Sequence, residues 1–83
     1  MCILVAGTPA PAAMRSISAS GAFLETNARP ALGDSVELRH PEAGAIEAVV
    51  RGIGPDGVEL GFPLGEASVA FALAAIAADM SSP

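Results

Sequence analysis

Apolar and polar positions alternate along most of this chain, and the alternation is interrupted at short intervals by glycine and proline. Ser35-Val36-Glu37-Leu38-Arg39 is the plainest case: Val36 and Leu38 fall on one face of an extended segment, Glu37 and Arg39 on the other. Ala45 to Ile53 repeats the pattern, with Ile46, Ala48 and Val50 inward and Glu47, Val49 and Arg51 outward. Val58, Leu60 and Phe62 then alternate with Glu59 and Gly61, after a Gly54-Pro55-Asp56-Gly57 turn with proline and glycine at the places a type I turn favours. Upstream, Cys2 to Ala6 is a β-prone run that Gly7-Thr8-Pro9 closes as a turn, and Ala13 to Ser18 alternates weakly, with Met14 displaced from the inward face on which Ile17 belongs. Gly21 to Thr26 resumes the extended pattern before a polar loop from Asn27 to Asp34. The expected strands are therefore about 2–6, 13–18, 21–26, 35–39, 45–53 and 57–62.

The period changes near residue 66. Val69, Leu73, Ile76 and Met80 are spaced for one stripe of a helix spanning about 66–79, and that stripe is expected to plug the open end of the β-structure. Each large side chain so buried contributes roughly 1.5–3 kcal/mol. Phe71 projects about 200° from Val69 on the helical wheel. With Ala74, Ala75 and Ala78 as neighbours it forms a second, exposed apolar face, expected to contact a protein partner or a second copy of the chain. Six short strands and one helix in so short a chain imply a closed antiparallel barrel, since closure removes the edges a lone sheet exposes. The fold class is all-β with one C-terminal helix, in a single domain over 1–83.

Composition narrows the function. The 83 residues are 52% hydrophobic and 16% charged, too apolar for a disordered chain. Four arginines against nine carboxylates give a net charge of −5, which excludes the positive field that nucleic-acid binding needs. Cys2 is the one cysteine and His40 the one histidine, so neither an internal disulfide nor a Cys/His metal site can be built. No apolar run approaches the length of a membrane span, and the N-terminus lacks a basic leader region, so no membrane insertion and a cytoplasmic location are expected. The alternating charges Glu37, Arg39, Glu47, Arg51 and Glu59 read as a solvated face with cross-strand pairs. No nucleophile stands beside a base, and an enzyme is not expected.

The most informative stretch is Arg15-Ser16-Ile17-Ser18-Ala19-Ser20-Gly21-Ala22-Phe23-Leu24-Glu25-Thr26. It resembles the centre of a PilZ domain, whose D/N-x-S-x-x-G motif ends the second strand; Ser18 and Gly21 match, and Ser16 replaces the Asp or Asn. Leu32 to Leu38, Val49 to Ile53 and Val58 to Phe62 resemble the later strands, so the likeness covers roughly residues 13–80. It implies a six-stranded PilZ-like barrel in bacterial cyclic di-GMP signalling. Family members that bind the nucleotide hold its phosphates with an R-x-x-x-R arm ahead of the first strand, and residues 1–14 contain no basic side chain. Losing two arginines costs at least several kcal/mol, because each charge-assisted hydrogen bond contributes about 1.5–3 kcal/mol. The expectation is a degenerate member that acts as a regulatory or protein-interaction module, without cofactor or cyclic di-GMP. The alternative is a cyclic di-GMP receptor with a non-standard site made from Arg15, Ser16, Ser18 and Gly21, completed by arginines of a second chain; a third possibility is that the true chain begins upstream of Met1, with an R-x-x-x-R segment there.

Overall fold

A computed structural model describes residues 1–80, so the last three residues of the expected 1–83 domain lie outside the described residues. Six strands, β1 (Cys2–Ala6), β2 (Thr8–Ser18), β3 (Gly21–Thr26), β4 (Ser35–His40), β5 (Gly44–Ile53) and β6 (Val58–Gly61), precede one helix, α1 (Glu66–Met80). The strands form a closed barrel in the order β1-β2-β3-β6-β5-β4, with β4 pairing back onto β1. Every pairing is antiparallel. The alternation read from the sequence faces as expected: Val36, Leu38, Ile46, Ala48, Val50, Val58, Leu60 and Phe62 are buried, and Val49 is turned outward. With Leu4 and Leu24 from β1 and β3 they fill the barrel interior.

Strand β2 starts earlier than expected, because Gly7 alone makes the turn: Ala6 pairs with Thr8, and Pro9 and Pro11 then pair with Val5 and Ile3. Prolines are tolerated here for a geometric reason. The Pro11 carbonyl faces β3, where it accepts the Thr26 hydroxyl at 2.8 Å. Its nitrogen, and that of Pro9 two residues earlier, point the same way, beyond the end of the β3 ladder that begins at Ala12 opposite Thr26. The missing donors therefore leave no ladder hydrogen bond unmade.

A β-bulge at Arg15 also corrects the expected facing of Met14. Met14 stands opposite Leu24 and Ser16 opposite Phe23, so one extra residue is absorbed between them. The shift brings Met14 and Ile17 to the same side, where both pack against the core.

Helix α1 packs on β2 and β5 with a face opposite to the one expected. Ser68, Phe71, Ala72 and Ala75 are buried, while Val69, Leu73, Ile76 and Met80 are exposed. The reason is space. Phe62 and His40 already occupy the barrel mouth, and what remains takes one ring, that of Phe71, which meets them edge-on at centroid distances of 5.7 and 6.3 Å. The alanines beside Phe71 let the helix backbone come close. Ser68, though fully buried, donates its hydroxyl to the Gly65 carbonyl at 3.0 Å.

Candidate functional site

The serine-glycine motif closes the β2–β3 hairpin. Ser18 pairs with Gly21 across the Ala19-Ser20 turn. The Ser18 hydroxyl accepts the Ser20 backbone N–H at 3.2 Å and lies 2.9 Å from the Ser20 hydroxyl, an arrangement that ties the turn to itself. Gly21 meets β6 so closely that a Cβ there would stand 2.1 Å from the Leu60 carbonyl oxygen. The Ser20 carbonyl accepts the Phe62 N–H at 2.9 Å, joining the turn to the end of β6. Both matching motif residues thus have structural employment that is complete without a ligand.

Beside the turn lies a shallow groove of about 250 Å³ on the outer barrel surface, lined among others by Ser16, Ser18, Ser20, Gly21, Arg51 and Glu59. Its charges come from two side chains. Arg51 stands at a second β-bulge: Val50 is opposite Leu60 and Gly52 opposite Glu59, with Arg51 the extra residue. Its side chain lies across the bare backbone of Gly61, where a Cβ would approach the Arg51 Nε to 1.9 Å. Glu59, on the neighbouring strand, lines the same groove.

The other arginines are engaged elsewhere. Arg15, the extra residue of the β2 bulge, pairs with Glu25 and is not among the groove-lining residues. Arg29 donates to the carbonyls of Thr26 and Ala28, both at 2.9 Å, and to that of Pro55 at 3.4 Å, which fixes the loop after β3. Arg39 pairs with Glu37 along its own strand. Glu37 faces Glu47 in register, so the cross-strand pairs expected among the alternating charges are not formed there. Arg51 alone of the four makes no ion pair or hydrogen bond among the described residues. Of the residues read from the sequence, the structure gathers Ser16, Ser18 and Gly21 at the groove and leaves Arg15 off it. The reading missed Arg51 and Glu59 as groove residues. The available signal was Gly61, a glycine in a strand, which often marks a close approach of other atoms.

The family model of the PilZ domain matches residues 1–75, from β1 through most of α1. The chain belongs to the PilZ domain family. No curated protein and no solved structure matches it. PilZ domains are regulatory binding modules of cyclic di-GMP signalling rather than enzymes, and this PilZ domain is accordingly a cyclic di-GMP-related regulatory module.

The expected contact surface needs correction. Phe71 and Ala75 are 4% and 0% exposed, so neither can meet a partner; Ala74 is exposed and Ala78 partly buried. The apolar surface that the PilZ domain presents is the other side of α1, where Leu73 is 63% and Met80 81% exposed. No helix among the described residues is long and apolar enough to cross a membrane, and no group of three or more His, Cys, Asp or Glu residues among them could hold a metal ion. His40, buried at the barrel mouth, uses Nδ1 to accept the backbone N–H groups of Glu42 and Ala43 at 3.1 and 3.0 Å. That fixes the proton of the neutral ring on Nε2 and makes the histidine a cap of the β4–β5 hairpin. Cys2 is buried, and burial first, then the charge of Asp79, pushes its thiol pKa up against the opposing pull of the terminal ammonium. Such a thiol is a packing residue and a poor nucleophile.

Proposed function

We propose that this PilZ domain is a non-enzymatic, cytoplasmic regulatory module of bacterial origin that works through protein contact and does not bind cyclic di-GMP. The observation carrying this reading is the charge of the groove over the motif: one arginine, Arg51, faces one carboxylate, Glu59, and Arg15 is neutralised by Glu25. Cyclic di-GMP carries two phosphates. A receptor meets them with paired guanidinium forks, and each charge-assisted hydrogen bond lost there costs about 1.5–3 kcal/mol. A groove with almost no net charge and no Asp or Asn at position 16 supplies neither the forks nor the acceptor for a guanine edge. The contact surface is the outer face of α1, whose large side chains have no use in the barrel.

One observation favours a second reading, a receptor with a non-standard site. Among the described residues Arg51 is unpaired, and it borders the groove with Ser16, Ser18 and Gly21, so it could take one phosphate if a second chain brought arginines for the other. Isothermal titration calorimetry of the 83-residue chain with cyclic di-GMP, up to about 1 mM at low salt, separates the two. No saturable heat is expected. Micromolar binding that Arg51→Ala abolishes would overturn the first reading in favour of the second.

A further inference from the structure

The outer side of α1 consists of two stripes. Val69, Leu73, Ile76 and Met80 follow one another at steps of four, three and four, the spacing of a heptad seam, and are 45%, 63%, 39% and 81% exposed. Beside them, about 100° round the helix, Ala67, Ala70, Ala74 and Ala77 follow at steps of three, four and three, all exposed. Between Glu66 in the first turn and Asp79 near the end, this surface carries no charge. With Phe71, Ala72 and Ala75 buried behind it, the helix is apolar all round, a pattern that belongs to helices covered on every side.

Resting on the reading of this domain as a protein-contact module, we propose that the cover is a second copy of the chain, its α1 packed antiparallel on the first about a two-fold axis at Leu73. An isologous contact needs a patch that is its own complement. A ridge of large side chains beside a furrow of alanines is such a patch, because the two-fold seats each ridge in the other copy's furrow. Centred on Leu73, the pairing sets Val69 opposite the partner's Ala77 and Ile76 opposite the partner's Ala70, large against small in each case. The extent is also suitable. With Leu64, 83% exposed at the helix entrance, the patch amounts to on the order of 600 Å² per copy. That is the upper end of what monomers leave bare and approaches the ~800 Å² per partner of a standard interface. A membrane surface is a poor occupant, since α1 has no basic residue and the chain's net charge is −5.

Sedimentation equilibrium of the 83-residue chain tests this, over concentrations up to about 1 mM and at low and high salt. A monomer–dimer equilibrium in the micromolar range is expected, tightening as salt screens the repulsion of two acidic copies. Leu73→Glu should weaken it at least about tenfold. Because Leu73 is exposed, this variant should keep the wild-type circular dichroism and melting temperature when both are measured at dilution. Ala70→Leu, which fills the furrow, should weaken dimerisation as well. A chain that remains monomeric throughout overturns the proposal, and so does an association indifferent to both substitutions. Calorimetry with cyclic di-GMP on the same preparations keeps the failures apart: a monomer that gives no nucleotide heat sinks the dimer alone, whereas nucleotide binding sinks the reading beneath it.

Discussion

Phe71 and Leu73 are two positions apart on α1 and have opposite surroundings. The Phe71 ring is enclosed by Phe62 and His40 at the mouth of the barrel, and Leu73 stands 63% exposed among alanines. Both faces of the helix are apolar, so hydrophobicity does not distinguish them. Space does. The inner face is one ring set among small residues because the barrel leaves room for a ring and a close backbone, while the outer face keeps the bulk that the interior cannot take. The four large aliphatic side chains of α1 point away from its own domain and have no use in the barrel.

The comparison predicts unequal costs for equal truncations. Phe71→Ala should destabilise the barrel by about 3–5 kcal/mol, since the cavity borders Phe62, tied to the Ser20 carbonyl just after β6, and His40, at the end of β4, and neither can close it. Leu73→Ala should change stability by no more than about 0.5 kcal/mol in a dilute, monomeric sample. Urea unfolding of both variants decides the matter. Comparable losses would mean that the helix docks through the other stripe.

A second contrast is sharper in geometry and smaller in effect. Gly21 and Ser18 are the two residues that match the family motif, and they differ in the space beside them. Gly21→Ala would place a Cβ 2.1 Å from a backbone oxygen of β6, a strand that cannot yield without losing its pairing with β3; a loss of about 1–3 kcal/mol is expected. Ser18→Ala removes two exposed turn hydrogen bonds, to the Ser20 N–H and the Ser20 hydroxyl, and should cost about 0.5–1 kcal/mol. Thermal denaturation measures both. If Gly21→Ala were neutral, the glycine would have no structural reason to be there, and a ligand reason would have to be sought.

These contrasts also mark how far the chain could be read from its residues. The barrel was legible because inward and outward positions alternate cleanly in β4, β5 and β6, where each strand has one wet and one dry face. The start of β2 was not, because Pro9 and Pro11 signal a turn unless one knows that β3 ends short of them. The two bulges were equally hidden, since nothing in Met14-Arg15-Ser16 or Val50-Arg51-Gly52 records which residue the partner strand skips. With them went the placement of Arg51 at the groove and the pairing of Arg15 with Glu25. The helix was recognised by its period, but two apolar stripes share that period, and only the volume left at the barrel mouth chooses between them.

Alanine for alanine, the two faces differ by what a larger side chain would meet. Ala75 is fully buried against the barrel and Ala74, its neighbour, is exposed. Ala75→Leu should lift α1 off β2 and β5 at a cost of about 1–3 kcal/mol, and Ala74→Leu should leave the monomer within about 0.5 kcal/mol of wild type. Urea midpoints of the two variants, taken at equal dilution, check the difference, and equal midpoints would argue against close packing of the inner face.

The smallest effect reports on the buried Cys2 at the start of β1, within reach of Asp79 of α1. Cys2 is buried, and Asp79 of α1 is near enough to add to the rise in its thiol pKa. A thiol whose pKa is higher folded than unfolded favours the neutral form in the fold. Its contribution to stability is therefore complete below the ordinary thiol pKa and is lost as pH rises toward the folded value. As pH rises past the ordinary thiol pKa of about 8.5, stability should decline more steeply in the wild type than in Cys2→Ala, whose unfolded state has no thiol to ionise. Asp79→Asn should flatten the slope only slightly, because burial is the larger cause. Parallel slopes in wild type and Cys2→Ala would mean that the thiol is as well solvated folded as unfolded, and so that Cys2 does not stay buried.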